Sequence, residues 1–231
     1  MNINNFEKDI ASSLRNSSFS RKSFNFLDNF PLIEGKQAMY IMDWKNSKNT
    51  YQRGIKEMLG YEADEFKFDL VLNYFHPDDN EVVRRIIKGA VNHCTQLDYS
   101  GKNEYLHIKH RVKKKDNTYI QILRQTQIFN VSNEGRLVST LSLITDISFV
   151  SSNKVEWDIY ANQLDKEDFK NRIYIEFLDF FTPRELEIIT LINNSMSTNS
   201  ISKKLNISAY TVSTHRKNIL RKSNCHSREE L

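Results

Sequence analysis

Cysteine, proline and glycine are all scarce: two, three and six residues respectively in a chain of 231. Cys94 and Cys225 are too few for a disulfide framework or a multi-cysteine zinc site, so both read as reduced structural thiols. The low glycine and proline content excludes collagen-like repetition, and 39% hydrophobic residues exclude wholesale disorder. Long apolar runs are missing too. A membrane-spanning helix needs roughly 18 apolar residues, and even Leu137 to Val150 is broken by Ser, Thr and Asp. The opening MNINNFEKDIASSL lacks a basic segment followed by an apolar core, so no secretory signal is expected and the chain reads as cytoplasmic. No phosphate-cradling glycine loop, activated Ser or Cys, or pair of catalytic carboxylates is present, so no catalytic residue and no enzyme are expected.

What is there is unevenly distributed. The net charge of +4 lies entirely after Thr182, where eight basic residues face four acidic ones; residues 1–181 cancel at 25 of each. Between Lys203 and Arg228 there are seven basic residues and no acidic one. Such a stretch is either a solvated helix face or the electrostatic footprint of a phosphate-binding module.

The pattern from Phe181 favours the second reading. Thr182 can cap a helix, Pro183 suits its first position and Glu185 completes a capping box, with Phe181 and Leu186 at staple positions. Leu186, Ile189 and Ile192, or Ile188 and Leu191, then recur at helical spacing. After Ser195-Met196-Ser197, a short helix from Thr198 to Leu205 places Ile201 and Leu205 on one face. Asn206-Ile207-Ser208 breaks it, and Ser208 caps a third helix to about Ser223 with Val212 and Ile219 inward. These three helices describe a helix-turn-helix.

Thr182-Pro183-Arg184-Glu185, Ile201, Leu205 to Ser208, Thr211-Val212, Thr214-His215 and Asn218 to Lys222 resemble the LuxR-type DNA-binding domain, without gaps over Phe181–Leu231. The resemblance implies double-stranded DNA as partner. The third helix would then bring Ala209, Tyr210, Ser213, Thr214 and Lys217 to base edges in the major groove. Ser197, Thr198, Asn199, Arg216, Arg221 and Lys222 would contact phosphates, which position without reading sequence. His215 is expected to pack or to bond a phosphate rather than bind metal. Three departures stand out. Ser213 replaces the family's usual Lys, and Ser223-Asn224-Cys225 replaces Leu-Gly-Val. The fourth helix, which generally serves dimerisation, begins at Ser227, so either the chain continues past Leu231 or a homodimer forms elsewhere.

Earlier in the chain, Phe6, Ile10 and Leu14 suit an amphipathic helix. Tyr40, Met42 and Trp44 then alternate with Met39, Ile41 and Asp43 as a strand, and Thr50–Arg53 is a second. Helical segments follow through His76-Pro77-Asp78-Asp79 and a helix carrying Val82 to Val91. Three alternating strands come next, around Leu106, Ile108 and Val112, then Ile120 and Ile122, then Leu137, Leu141 and Leu143. Leu59-Gly60-Tyr61, Ala63-Asp64-Glu65, His76 to Asp79, Lys115-Asp116-Asn117 and Thr145-Asp146-Ile147 resemble the PAS domain, with Asn117 at a left-handed turn that the family usually gives to Gly. The fold expected is therefore α+β: a PAS-like antiparallel sheet with flanking helices, followed by an all-α LuxR-type helix-turn-helix. The domains would be an N-terminal helical appendage (1–35), the sensory domain (36–150), a connector (151–180) and the DNA-binding domain (181–231).

Any PAS ligand would sit between sheet and helices near Tyr40, Met42, Trp44, Ile108, Ile120 and Leu141; the same residues equally suit a dry core. The cofactor is unknown: the Asn-Cys-Arg-Phe flavin-adduct motif is absent. Haem is disfavoured, because His93, beside Asn92 at a polar helix end, reads as solvent-exposed. His107 and His110 fall on opposite strand faces. His76 is expected to order the step into the long helix. In the connector, Val155, Trp157 and Ile159 alternate, and Ile173, Phe177 and Phe180 would dock a helix onto the DNA-binding domain. The reading is a one-component transcription regulator whose PAS domain senses a signal and biases a dimer on DNA. The alternative is a protein-interaction module in which the PAS domain binds a signalling partner and DNA binding is constitutive. No membrane partner is expected.

Overall fold

The alternation at Tyr40, Met42 and Trp44 is realised as β1 (Gln37–Asp43), whose turn into β2 (Lys48–Arg53) begins the sheet. This computed structural model describes residues 25–99, 104–150, 154–160, 166–177 and 179–223. The expected helix over Phe6–Leu14, the Asn224-Cys225 cap and the helix from Ser227 lie outside them. The chain divides into two units, Met1–Tyr174 and Ile175–Leu231.

In the first unit α1 (Asn25–Asp28) precedes β1 and β2. Three helices follow: α2 (Ile55–Leu59), α3 (Phe68–Val71) and α4 (Pro77–Gln96). The meander β3 (Tyr105–Lys113), β4 (Tyr119–Val131) and β5 (Leu137–Asp146) comes next, then β6 (Glu156–Tyr160) and α5 (Lys166–Ile175). All strand pairs are antiparallel, in the order β2-β1-β5-β4-β3-β6. This is the PAS-like α+β sheet with flanking helices that the sequence implies, enlarged by a sixth strand.

Strand parity distributes the core over both faces. Tyr40, Met42, Trp44, Ile108, Ile122 and Ile144 are buried on the helix side. Met39, Ile41, Phe129 and Leu141 form a second cluster on the other face, closed by Leu27 of α1. Arg53 fastens that cover by donating to the carbonyls of Leu27, Asp28 and Phe30. Gly54, at φ 77°, turns β2 into α2; a Cβ there would stand 2.6 Å from the Gln37 carbonyl oxygen, so only glycine fits.

The step into α4 forms as expected. His76 is its N-cap, Nδ1 accepting from the Asp78 amide at 3.2 Å, and Pro77 takes the first helical position. Asp79 is fully buried and accepts from the Arg111 backbone amide (2.8 Å) and guanidinium (2.6 Å), tying α4 to β3. Asn117 adopts φ 68° at the β3–β4 hairpin, the left-handed turn expected of it.

The connector expected at 151–180 does not behave as one piece. Its strand is real: β6 pairs with β3, Ile159 opposite Leu106 and Trp157 opposite Ile108. Its helix α5 packs within the first unit. Phe169 and Ile173 of α5 are buried, and Ile173 lies against Gly89 of α4, where a Cβ would be 2.7 Å from its Cα. His93 is corrected by the same contact: it is 2% exposed, its ring 4.8 Å from Phe169, because α5 covers the helix end that looked solvated.

In the second unit, Phe177, Phe180 and Phe181 form a run of ring contacts leading into α6 (Pro183–Asn193), which α7 (Thr198–Leu205) and α8 (Ala209–Ser223) follow. Ile188, Leu191, Ile192, Ile201, Val212 and Ile219 make its core.

Candidate nucleic-acid interface and interior cavity

The capping box predicted for α6 is complete. The Thr182 amide donates to the Glu185 carboxylate at 2.8 Å, and the Glu185 amide to the Thr182 hydroxyl at 3.2 Å. Burial would push the Glu185 carboxyl up. Lys222, whose Nζ donates to it at 2.6 Å, and the Thr182 bonds outweigh that and hold it below the ordinary carboxylate range. Arg184 braces the other side, donating to Glu187 (2.6 Å) and to the Leu205 carbonyl (3.1 Å) at the end of α7.

The turn from α7 to α8 follows from its residues. Asn206 takes the left-handed cap at φ 52°, and Ser208 accepts from the Thr211 amide at 2.9 Å to start α8. Val212 and Ile219, seven residues apart and fully buried, fix the rotation of α8 about its axis. The opposite face then carries Ala209, Tyr210, Ser213, Thr214, Lys217 and Arg221, all exposed, Tyr210 at 83%. The Ser213 and Thr214 hydroxyls donate to the carbonyls of Ala209 and Tyr210, so their oxygens remain open as acceptors.

Among the residues expected at phosphates, Ser197 caps α7, accepting from the Ser200 amide at 3.2 Å. Thr198 and Asn199 occupy the first turn of α7, and Arg216 is half-buried, as is His215. Lys222 stands apart from this set. Its ammonium is engaged by Glu185, joining the end of α8 to the start of α6. Parity could not foresee this, because the partner is 37 residues away.

The first unit holds a cavity of about 50 Å³ between the sheet, α4 and α5. Trp44, Ile87, Val91, Ile108, Arg124, Thr140, Ile159 and Phe169 are among its lining residues. Of the six residues named for a pocket, Trp44 and Ile108 line it. Tyr40 and Met42 are buried beside it on the same face, and Ile120 lies beyond it at the half-exposed end of β4. Leu141 does not belong: it pairs with Ile41 and points to the other face, one residue out of phase with Thr140.

The cavity contains a charge that the sequence reading overlooked. Arg124 is 2% exposed and stands opposite Ile144 and Ile108 in the centre of the sheet. Its Nε donates to the Thr126 hydroxyl at 3.1 Å, and its guanidinium lies 5.8 Å over the Tyr40 ring. Burial, reinforced by the Arg124 charge, pushes the His110 imidazole down to about 3, so it stays neutral. Alternation could have found Arg124, since it continues the inward series Ile120, Ile122.

Residues 48–143 match the family described as PAS fold, and residues 179–231 match the family described as bacterial regulatory proteins, luxR family. Among solved structures, the chain is similar to the N-terminal domain of a diguanylate cyclase with PAS/PAC sensor from Marinobacter aquaeolei. That likeness is at 21% identity over 49% of this chain and 97% of that one, with a TM-score of 0.38. A Vibrio cholerae VqmA dimer, described as a LuxR-type receptor, is similar at 12% identity over 90% and 85%, with a TM-score of 0.37. Escherichia coli SdiA is similar at 12% identity over 99% and 87%, with a TM-score of 0.23. No curated protein matches the chain.

Proposed function

We propose, for a chain that joins a PAS fold to a luxR-family regulatory domain and so is a DNA-binding transcription regulator with a sensory domain, the following division of labour. α8 lies in the major groove with Ala209, Tyr210, Ser213, Thr214 and Lys217 at base edges. Arg216, Arg221 and the first turn of α7 (Ser197, Thr198, Asn199) hold phosphates. Two copies bind as a homodimer, placing one α8 in each half-site, in the cytoplasm where the DNA is. The role is binding, with catalysis assigned to no residue.

One observation carries this reading: a single exposed stripe of hydroxyl, phenol and cationic side chains on α8, backed by Val212 and Ile219. Signal transfer runs through α5. Phe169 and Ile159 are walls of the cavity, so whatever occupies it touches β6 and the helix that leads out of the first unit. That favours a sensed small molecule over constitutive DNA binding with a protein partner.

Fluorescence anisotropy of the full chain on random and selected duplexes tests the interface. Lys217→Ala should narrow the gap between selected and random DNA. Arg221→Ala should weaken both alike and flatten the dependence of log K on log salt by about one unit. Affinity that does not vary with salt would remove the DNA-binding role.

A further inference from the structure

The guanidinium of Arg124 is buried and has no carboxylate partner among the described residues, and its Nη1 makes no hydrogen bond to them. A buried, unpaired cation is costly, because an apolar interior returns little of the lost hydration. The Thr126 hydroxyl and the Tyr40 ring offset part of that cost. Near it Tyr40, Tyr74 and His110 are buried too, Tyr74 directed to the Tyr40 hydroxyl and His110 to the Ile108 backbone, and none of them brings a negative charge to the guanidinium.

Arg124 lines the cavity, most of whose other walls are aliphatic and aromatic, among them Val91, Ile108, Ile159 and Phe169, with Glu104, Thr126, Gln127 and Thr140 as polar members. A volume of about 50 Å³ holds roughly three or four waters, or a ligand of a few non-hydrogen atoms. Glu104 also lines the space and is buried; it disfavours a second negative charge on whatever enters. We propose that this cavity binds a small aliphatic monocarboxylate, its carboxylate paired with Arg124 and its short tail against Ile108, Ile159 and Phe169. The charge selects the head, the apolar walls the tail, and the size excludes long chains. Inorganic phosphate supplies an anion without a tail and does not fit.

The inference rests on the sensory reading of the first unit, and its test separates the two. Propionate is titrated into the full chain by calorimetry, alongside propionamide, succinate and inorganic phosphate. So small a ligand binds at best in about the micromolar range. Propionate should bind, and the other three should be at least about tenfold weaker, since each loses the charge match, adds a charge or lacks the tail. Arg124→Gln should cost about 10- to 100-fold in propionate affinity. Because the free cation is unpaired, Arg124→Met should leave the melting temperature unchanged or raise it, and abolish the rise that propionate gives the parent chain. Equal binding of propionamide, no heat with propionate, or propionate affinity indifferent to Arg124→Gln would overturn the site. Anisotropy on DNA is measured in the same samples. Propionate bound through Arg124 with no change in DNA affinity would keep the site and overturn its role as the signal.

Discussion

At the scale of single residues, the side chains that matter most here are charged groups placed where water is scarce. Glu185 shows how such a group becomes useful. As the third residue of α6 it closes a capping box, and it also receives the Lys222 ammonium. Burial acts to raise its carboxyl, but Lys222 and Thr182 prevail and the folded value lies below the ordinary one. The unfolded chain therefore binds a proton there at higher pH than the folded one. The stabilisation is complete above the unfolded value, about 4.3, and is lost as pH falls through the folded value. Lys222→Gln removes the main opposing force and lets the folded value rise toward the unfolded one, so urea denaturation of the DNA-binding domain should show lower stability at neutral pH and a smaller loss on acidification than in the parent chain. An unchanged acid limb would mean that the pair contributes nothing. Capping by Thr182 and Glu185 was legible three residues apart in the sequence; the reach of Lys222 was not, because it depends on how α8 crosses α6.

Among the elements, α5 separates local pattern from tertiary outcome most clearly. Its apolar residues predicted a docking helix, and within the first unit the helix packs on α4. Gly89 decides this. Without a Cβ it lets the backbone of Ile173 approach α4 closely enough to bury Phe169 and cover His93. In an uncovered helix, Gly→Ala is worth about 1 kcal/mol of stabilisation. In α4 the added Cβ would meet Ile173 Cα at 2.7 Å, so one backbone must move. Gly89→Ala is thus expected to destabilise the first unit in urea melts and to speed tryptic cleavage at Lys170 and Arg172; stabilisation with unchanged cleavage would show α5 free of α4. Helix α8 depends on its core in the same way. Ile219→Ala removes a fully buried side chain and should cost about 2–4 kcal/mol, read as lost helical circular dichroism from the second unit on mild heating while the sheet signal persists.

For the whole molecule, the proposed function requires two copies and two half-sites. Each chain offers one α8 with a positively charged, hydroxyl-bearing face, and helix-turn-helix dimers bind half-sites about 10–10.5 base pairs apart centre to centre. Light scattering on a duplex carrying two such half-sites is expected to give two chains per duplex. Shifting the spacing by half a turn, about five base pairs, should place the sites on opposite sides of the duplex and lower the affinity of the complex by tenfold or more. One chain per duplex at every spacing would remove the dimer from the proposed mechanism.

The sequence by itself determined the elements and their order, because these follow from local chemistry: strand alternation, helix periodicity, the caps at Thr182, Ser197 and Ser208, and the left-handed asparagines at 117 and 206. It also determined the exposed face of α8, since Val212 and Ile219 leave the opposite side of a regular helix no choice but solvent. Only the tertiary structure decided which buried side chains share a space. Leu141 and Thr140 are neighbours in sequence, and the pleat sends them to opposite faces. Phe169 and Trp44 are far apart in the chain, yet line one cavity because α5 folds back onto α4. Alternation puts Arg124 on the inward side with Ile120 and Ile122, but says nothing of its partners. Arg124 becomes an unpaired cation inside the protein only once the antiparallel register of β3, β4 and β5 has closed apolar residues around it.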